Sequence, residues 1–300
     1  MLNTKHLNNL KKIVHGDIEY NVSMKNHTSF RIGGIARVVL YPREMTDLVD
    51  AINYLRRHNI RYFVFGLGTN LLVTDRNIDF VLIKLGSNFN HVTVNENTII
   101  AYAGASVNSV CMAAYNNSLT GLEDAFGIPG SIGGAVYMNA SAYEYETANV
   151  VSLVVALVDG KLKVYDSIEF GYRYSMFQDM EDAIILQVEL KLNSGEKADI
   201  HQRMQDTMRN RVDNQPLDKP SAGSVFRRCN DIIVSKAIDD MGMKGTSVGG
   251  AMISPKHAGF IVNTGNATCN DVQELIQIIQ TKFEDTYGAK LDTEIKYLGE

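Results

Sequence analysis

The feature that most constrains the fold of this chain is a glycine-rich segment at residues 125–140, Ala-Phe-Gly-Ile-Pro-Gly-Ser-Ile-Gly-Gly-Ala-Val-Tyr-Met-Asn-Ala. Four glycines, one proline and one serine occupy positions 127–134. Glycine adopts backbone conformations closed to other residues and lets another surface approach the chain closely. Because apolar residues flank these glycines, the segment predicts a rigid turn, buried at both ends, whose backbone amides face a ligand. Successive amides in such turns hold phosphate; the alternative is a tight turn between core elements.

A second glycine-rich loop lies upstream, in the run Phe-Val-Phe-Gly-Leu-Gly-Thr-Asn-Leu-Leu-Val at residues 63–73. It follows an aromatic and β-branched run at 61–65 that predicts a buried strand. The loop lacks the third glycine of a dinucleotide fingerprint and the Lys-Ser/Thr pair of a P-loop. Paired with residues 127–134, it suggests a diphosphate held from two sides, by backbone amides and by Thr69 and Asn70.

Composition limits the class of protein. Three hundred residues suffice for two or three domains. No apolar run approaches the length of a membrane span, and residues 1–12 lack the apolar core of a secretory signal. Cys111, Cys229 and Cys269 are odd in number and far apart, which argues against a disulfide framework or a zinc site and favours a reducing cytoplasm. A net charge of −5 without a basic stripe argues against nucleic acid as a partner.

Hydrophobic periodicity predicts a mixed α and β chain. Residues 1–29 read as a polar N-terminal extension with some helix. Helices are predicted at 46–58, 107–114, about 197–213, near 232–241, and as one long helix with Asn270 as its N-cap. Strands are predicted at 61–65, 79–85, 91–94, 98–102, 150–158, 161–165, 183–192 and 293–298. Asp159-Gly160 predicts a type I′ hairpin turn, and the change in composition at 193–196 marks a domain boundary.

Four polar clusters could carry chemistry: His27–Gly34, Tyr172–Phe177, Pro220–Arg228 and Lys256–Asn263. Each has a structural alternative. The first and third could be ordinary or capping turns. Arg173 could hold a carboxylate or phosphate with its guanidinium stacked on aromatic rings, but the residues alone slightly favour a surface arginine resting on them. His257 is by default a structural hydrogen-bonding residue.

Glu294 is the lone acid within the last predicted strand. If it faces inward, burial would raise its pKa and make it a candidate acid; if it faces outward, it has no special role. Metalloprotease and α/β-hydrolase chemistry find no support, because the chain has neither a His-Glu-x-x-His helix nor a Gly-x-Ser-x-Gly elbow.

Taken together, these motifs resemble the UDP-N-acetylenolpyruvoylglucosamine reductase family over residues 27–299. The motifs that carry the resemblance, in order, are His27–Gly34, Gly66–Leu72, Gly127–Ala140, Tyr172–Phe177, Pro220–Phe226, Lys256–Asn263 and Leu291–Gly299. The resemblance implies an α+β fold, with a two-lobed FAD-binding module of the vanillyl-alcohol oxidase (PCMH) type followed by a smaller α/β substrate-binding domain. The implied organisation is an extension at 1–29, an FAD-binding module at 30–195 with lobes at about 30–88 and 89–195, and a substrate-binding domain at 196–300.

The resemblance also implies an activity, the NADPH-dependent reduction of UDP-N-acetyl-3-O-(1-carboxyvinyl)-glucosamine to UDP-N-acetylmuramate through FAD, in peptidoglycan synthesis. The family's catalytic Arg, Ser and Glu fall on Arg173, Ser224 and Glu294. The implied cofactor-binding residues are Gly66, Leu67, Gly68, Thr69, Asn70, Leu71, Gly127, Pro129, Gly130, Ser131, Gly133 and Gly134. The implied substrate-binding residues are Tyr172, Arg227, Lys256 and His257, and no metal is implied. We expect non-covalent FAD, because no His or Cys lies within 66–72 or 127–134.

The chain departs from the family pattern at four positions, one of them mildly, since Thr69 stands where the family's upstream loop usually has Ser. Ser141 and Glu144 stand where the family usually has Gly, and Cys229 where it usually has Pro. Arg173 and Ser224 are only 51 positions apart, so the chain resembles the shorter branch, which lacks a Tyr-bearing insertion.

Two other functions stay open: another FAD-dependent oxidoreductase of the same superfamily, and a catalytically silent nucleotide-sugar binding protein. Intact Arg173, Ser224 and Glu294 count against the second. We expect a cytoplasmic monomer whose partners are a UDP-sugar and NADPH, with no nucleic acid or membrane.

Overall fold

A computed structural model of the chain describes residues 2–299. Its helices are α1 (Thr4–Ile13), α2 (Met45–Arg57), α3 (Val107–Asn116), α4 (Ile132–Tyr137), α5 (Lys197–Asn214), α6 (Val234–Asp240) and α7 (Cys269–Tyr287). Its strands are β1 (Asp17–Ser23), β2 (Ile35–Tyr41), β3 (Tyr62–Phe65), β4 (Leu71–Val73), β5 (Ile78–Lys84), β6 (Val92–Asn95), β7 (Thr98–Tyr102), β8 (Leu119–Thr120), β9 (Ser141–Ala142), β10 (Tyr145–Glu146), β11 (Val151–Val158), β12 (Lys161–Tyr165), β13 (Phe170–Gly171), β14 (Tyr174–Ser175), β15 (Ile184–Lys191), β16 (Asn193–Ser194), β17 (Ser247–Val248), β18 (Ala251–Ile253), β19 (Ile261–Asn263) and β20 (Lys296–Leu298).

The chain divides into two compact units. Unit 1 comprises the described residues up to Tyr20, together with Val38–Leu67 and Asp79–Arg209. Unit 2 comprises Asn21–Arg37, Gly68–Ile78 and the described residues from Asn210 onward. Each unit is therefore built from more than one stretch of sequence.

Unit 1 is organised around two sheets. One has the strand order β1-β2-β5-β3, in which β3 and β5 run parallel; the other has the order β12-β11-β15-β7-β6 and is antiparallel between neighbours. Strand β15 shows why this sequence forms a sheet with one buried face. Leu186, Val188 and Leu190 are fully buried and alternate with polar residues, the period of two that a strand imposes. The core of unit 1 forms beneath that face.

The hairpin β11–β12 confirms the turn predicted at Asp159-Gly160. Val158 pairs with Lys161 across the turn, and Asp159 and Gly160 have φ values of 52° and 71°. Both positive values are those that a type I′ turn requires.

Unit 2 has its own core, in which the apolar face of α7 packs with residues from earlier stretches, including Phe30, Ile32 and Leu72. The members contributed by α7 share a helical spacing: Val272, Leu275, Ile276, Ile279 and Phe283. A three-stranded sheet, β17-β18-β19, and the parallel pair β4–β20 complete the unit.

Two predicted boundaries are wrong. Helix α7 has Thr268, not Asn270, as its N-cap. Thr268 and Asp271 form a reciprocal capping box, which satisfies two backbone amides and fixes the start of the helix better than Asn270 alone would. The last strand covers only 296–298, so Glu294 precedes it. The backbone at Glu294 bonds instead to Val225 and Asn70.

Several elements were not predicted from the sequence, among them β2, most of the two- and three-residue strands, strand β1 and helix α4. Strand β1 buries only Val22, so it lacks an alternating hydrophobic signal. Helix α4 occupies the glycine-rich segment, where the composition predicted only a turn.

Two further expectations concern absences. Among the helices of residues 2–299, none combines the length and the apolarity of a membrane span. No two of the three cysteines, all within those residues, form a disulfide.

Candidate functional site

The two glycine-rich loops meet in unit 1. A Cβ placed on Gly66 would lie 2.3 Å from Ser131 Oγ, so this position admits only glycine without a shift of its neighbour. Ser131 is the N-cap of α4, and its hydroxyl accepts a hydrogen bond from the amide of Gly134 at 3.3 Å. The sequence therefore brings the two loops together through one close glycine–serine contact.

Several amides of the 127–134 segment are engaged within the protein. The amides of Ile132 and Gly133 donate to the carbonyl oxygens of Ala105 and Ala103 at 2.8 and 2.9 Å. The Gly127 amide donates to Asn108 Oδ1 at 2.7 Å. The expectation that the whole segment turns its amides to a ligand therefore does not hold for these three amides, which stabilise the loop itself.

The upstream loop continues into unit 2 from Gly68. Gly68 has a φ of 67°, and a Cβ there would lie 2.2 Å from the carbonyl oxygen of His27. The Ser29 amide donates to the Gly68 carbonyl at 3.3 Å, and the Ser29 hydroxyl donates to the Ser221 carbonyl at 2.6 Å. Three of the motifs found in the sequence, around residues 29, 68 and 221, are thus in direct contact.

These loops suit a diphosphate-bearing cofactor. Glycines with positive φ, Gly68 and Gly130, allow the backbone rather than side chains to line the segments. Contact between Gly66 and Ser131 places both loops at one position in unit 1. Backbone-lined segments of this kind can bind phosphate groups through their amides.

Arg173 sits at the turn between β13 and β14 in unit 1, with a φ of 54°. Its Nη1 donates to Ser141 Oγ at 2.7 Å, and its guanidinium lies 5.5 Å from the centre of the Tyr172 ring. The Gln178 side chain donates to the Arg173 carbonyl at 3.0 Å and to the Tyr137 carbonyl, at the end of α4, at 2.8 Å. Arg173 is half-buried and held on both its backbone and its side chain, unlike an arginine that merely rests on a surface ring.

Ser224 and Glu294 are close neighbours in unit 2. Ser224 forms an isolated antiparallel bridge with Phe260. The next residue, Val225, accepts a hydrogen bond at its carbonyl from the Glu294 amide at 2.7 Å. The segment that carries Ser224 is therefore clamped between the stretch at 259–260 and the stretch at 292–294. Gly223, which has a φ of 82°, supplies the left-handed turn just before the serine.

The four residues expected to bind substrate differ in their surroundings. Tyr172 lies beside Arg173 in unit 1. In unit 2, the ammonium of Lys256 donates to the Val212 carbonyl in the last turn of α5. His257 Nδ1 accepts from the Gly259 amide at 3.2 Å, and burial lowers the pKa of His257. His257 thus makes the structural hydrogen bond that its sequence position favoured.

Arg227 is the expected substrate residue with an unsatisfied polar atom. Its Nε is buried and has no hydrogen-bond partner among the residues that the structure describes. Lys296 is nearby, and burial, together with the positive charge of Arg227, lowers the pKa of Lys296. Sequence reasoning missed Lys296; its position two residues after Glu294 in the same motif was the available signal. Two cations so placed suit an anionic ligand.

The comparisons with known proteins cover nearly the whole chain. A family model described as an FAD binding domain matches residues 36–165, and one described as the UDP-N-acetylenolpyruvoylglucosamine reductase C-terminal domain matches 215–298. The chain is 44% identical to the UDP-N-acetylenolpyruvoylglucosamine reductase of Syntrophomonas wolfei, over 94% of this chain and 95% of that protein. It is 43% identical to the enzyme of that name from Caldanaerobacter subterraneus, over 97% of each. The crystal structure of UDP-N-acetylenolpyruvylglucosamine reductase from Thermus caldophilus superposes with a TM-score of 0.82 at 32% identity, covering 95% of this chain and 100% of that one.

Proposed function

The chain belongs to the UDP-N-acetylenolpyruvoylglucosamine reductase family, and on that premise we propose that Arg173, Ser224 and Glu294 carry out its chemistry. The protein is an FAD-dependent oxidoreductase that uses NADPH and acts in peptidoglycan precursor synthesis. The predicted α+β fold, an FAD-binding domain followed by the family's C-terminal domain, is confirmed. The alternatives of a different oxidoreductase and of a silent binding protein give way to this family assignment. The observation that carries it is the identity of 44% along 94% of the chain.

Arg173 stabilises the negative charge that forms on the substrate during the reaction. FAD, when bound, would carry hydride from NADPH to the terminal carbon of the enolpyruvyl group. Negative charge then collects on the adjacent carbon and its carboxylate. A preorganised cation at that point lowers the barrier, and Arg173 is preorganised by Ser141, Tyr172 and Gln178.

Ser224 delivers the proton that completes the reduction. The carbon next to the carboxylate gains this proton while the terminal carbon gains the hydride, so the carbon–carbon double bond becomes single. Glu294, held beside the Ser224 segment through the Val225 carbonyl, would in its protonated form donate a hydrogen bond to the carboxylate as charge develops on it. Arg227 and Lys296 face the anionic part of the UDP-sugar, which would satisfy the buried Arg227 Nε.

The cofactor is assigned to the two glycine-rich loops. We assign cofactor binding to Gly66, Gly68, Thr69, Asn70, Gly130 and Ser131, which would hold FAD without a covalent bond. The contact between Gly66 and Ser131 and the positive φ of Gly68 and Gly130 support this assignment.

We base the proposed domain organisation on the same family assignment. We assign residues 30–195 to FAD binding and 196–300 to substrate binding, after an extension at 1–29. The compact units divide the chain differently, because the described residues up to Tyr20 belong to unit 1 and residues 21–37 and 68–78 belong to unit 2. The matched ranges of 36–165 and 215–298 support the order of the two functions. We further assign a cytoplasmic location, which the three widely spaced cysteines support, and a monomer with a UDP-sugar and NADPH as its partners.

The sharpest test is Ser224→Ala, with the two half-reactions followed separately by stopped-flow flavin absorbance. Flavin reduction by NADPH needs no proton from Ser224 and should stay near the wild-type rate. Flavin reoxidation by the enolpyruvyl substrate needs that proton and should fall by about 10²–10⁴-fold, the usual contribution of general acid catalysis.

Ser247→Ala is a matched control, because Ser247 is an exposed serine of the same unit whose hydroxyl bonds the Gly245 carbonyl. It should leave both rates unchanged. An unchanged reoxidation rate in Ser224→Ala would show that the serine only forms part of a turn. A parallel fall of both rates would remove its catalytic role.

A further inference from the structure

We propose that Ser141 is a positioning residue for Arg173, and that its hydroxyl holds the guanidinium in the orientation the reaction uses. The inference rests on the proposed role of Arg173. Nη1 of Arg173 lies 2.7 Å from Ser141 Oγ and 3.5 Å from the carbonyl oxygen of the same residue. In the sequence, Ser141 stands out only as a departure from the family pattern.

This contact controls where the other donors of Arg173 point. A guanidinium is planar, with five N–H groups in a rigid fork. Holding Nη1 at one end and placing the Tyr172 ring 5.5 Å from the guanidinium restricts the whole plane. Since hydrogen bonds from a charged donor are stronger than neutral ones, the Ser141 hydroxyl favours one orientation of a long, flexible side chain.

Ser141 can orient the Arg173 guanidinium only if its own position in the fold is fixed. It lies on β9, opposite Glu146 of β10. The Asn139 side-chain amide donates to Glu146 Oε1 at 2.6 Å and to the carbonyl oxygen of Gly171 at 2.9 Å, and Asn139 is 1% exposed. Asn139 therefore ties the hairpin that carries Ser141 to the hairpin that carries Arg173.

The backbone of Arg173 is held by independent contacts. Gln178 bonds the Arg173 carbonyl and the Tyr137 carbonyl together, and Ser175 Oγ donates to that same Tyr137 carbonyl at 2.9 Å. Loss of the Ser141 hydroxyl should therefore remove the short side-chain bond to Nη1 and loosen the guanidinium while leaving the hairpin in place. This separation makes the inference testable by a single side-chain change.

The first measurement compares Ser141→Ala with Ser141→Thr in the FAD-loaded enzyme. In Ser141→Ala, flavin reoxidation by the enolpyruvyl substrate should fall about ten- to hundredfold, the change that loss of one charge-assisted hydrogen bond produces. Flavin reduction by NADPH should stay at the wild-type rate. Ser141→Thr keeps the hydroxyl and should restore most of the reoxidation rate.

The second measurement observes Arg173 directly, by ¹⁵N–¹H NMR of its side chain, with Arg173→Lys used to identify the signals. In the wild type the hydrogen bond should slow rotation about Cζ–Nη1 and give Nη1 its own proton signal. In Ser141→Ala that signal should merge with the others. Ser152→Ala, which removes a half-buried hydroxyl bonded to Glu189, should leave the Arg173 signals unchanged.

Three results would overturn the inference: a wild-type reoxidation rate in Ser141→Ala, unchanged Arg173 signals in that variant, or an equal fall of both half-reactions. None of these alters the Ser224 result, so the proposed function would survive them. Full reoxidation in Arg173→Lys would instead overturn the role of Arg173 itself.

Discussion

The side-chain amide of Asn70 donates a hydrogen bond to the backbone carbonyl oxygen of Glu294 at 3.3 Å. The carbonyl of Asn70 in turn accepts from the Lys296 amide at 2.9 Å. Asn70 belongs to a loop assigned to FAD, and Glu294 is assigned to the substrate carboxylate. One residue therefore links the proposed cofactor loop to the proposed catalytic acid, within unit 2.

We expect Asn70→Ala to lower turnover and to weaken FAD binding, because it frees the Glu294 segment and removes a polar group from the loop. The lost hydrogen bond itself should cost only about 1 kcal/mol of unfolding free energy. Flavin fluorescence titration and steady-state assays measure the first two effects. Asn88→Ala is the matched control, since Asn88 also donates to a backbone carbonyl, that of Pro42, at 3.3 Å. Equal effects of the two changes on FAD affinity and turnover would contradict the link.

Gly66→Ala should weaken FAD binding by forcing the two glycine-rich loops apart. The added Cβ would lie 2.3 Å from Ser131 Oγ, and overpacking of this kind costs about 1–3 kcal/mol. The measurements are the FAD dissociation constant and the melting temperature. Gly86→Ala is the control, because Gly86 has a φ of −103° and a Cβ there meets no described atom within 4 Å. Wild-type FAD affinity in Gly66→Ala would remove this contact from the cofactor site.

Short stretches of sequence predicted the turns and helices whose conformation is decided by the residues of that same stretch. The turn at Asp159-Gly160 and the helix over residues 45–57 follow from positive φ preferences and from a 3.6-residue period, both visible in short windows. Strand β1 was missed because its single buried side chain, Val22, leaves no alternation to detect. Helix α4 was missed because its stability comes from tertiary bonds, such as Gly133 to Ala103, that no local window contains.

The candidate site was predictable as a list of residues but not as an arrangement. Motif order named Arg173, Ser224 and Glu294 as candidates, yet the partners that hold them lie far along the chain. Ser141 is 32 positions from Arg173, and Asn70 is 224 positions from Glu294. Spacing along the sequence carries no information about such pairs, and only the folded chain shows them.

The N-terminus of α7 offers a direct test of the corrected cap. Thr268 Oγ1 accepts from the Asp271 amide at 3.1 Å, whereas the amides of Cys269 and Asn270 donate to the carboxylate of Asp75. Thr268→Ala should cost about 1 kcal/mol of unfolding free energy, and Asn270→Ala should change it little. Urea denaturation of both variants measures the difference. A larger loss in Asn270→Ala would restore Asn270 as the capping residue.

His257 should make the fold sensitive to acid. Burial lowers the pKa of His257 from its ordinary 6.5, and the charge of Lys244 adds to that effect. Because the unfolded chain then binds the proton more readily, the stability contributed by neutral His257 is present above pH 6.5 and is lost as the pH falls below it. His257→Asn keeps an acceptor for the Gly259 amide but cannot titrate. Its melting temperature should match the wild type at pH 8 and fall less steeply between pH 6.5 and 5; parallel curves would contradict this.

Glu294→Gln should separate catalysis from stability. The amide has the shape of the carboxyl group, and the backbone bonds of Glu294 to Val225 and Asn70 do not involve its side chain. The variant should therefore unfold near the wild-type midpoint. Its turnover should fall by about 10²-fold or more, the scale of a lost acid or base, because an amide alters the proton and charge balance at the substrate carboxylate. Asp292→Asn, an equivalent change at an exposed residue two positions away, should leave turnover unchanged. Wild-type turnover in Glu294→Gln would exclude Glu294 from the reaction, and a large loss of stability would show that its side chain supports the fold.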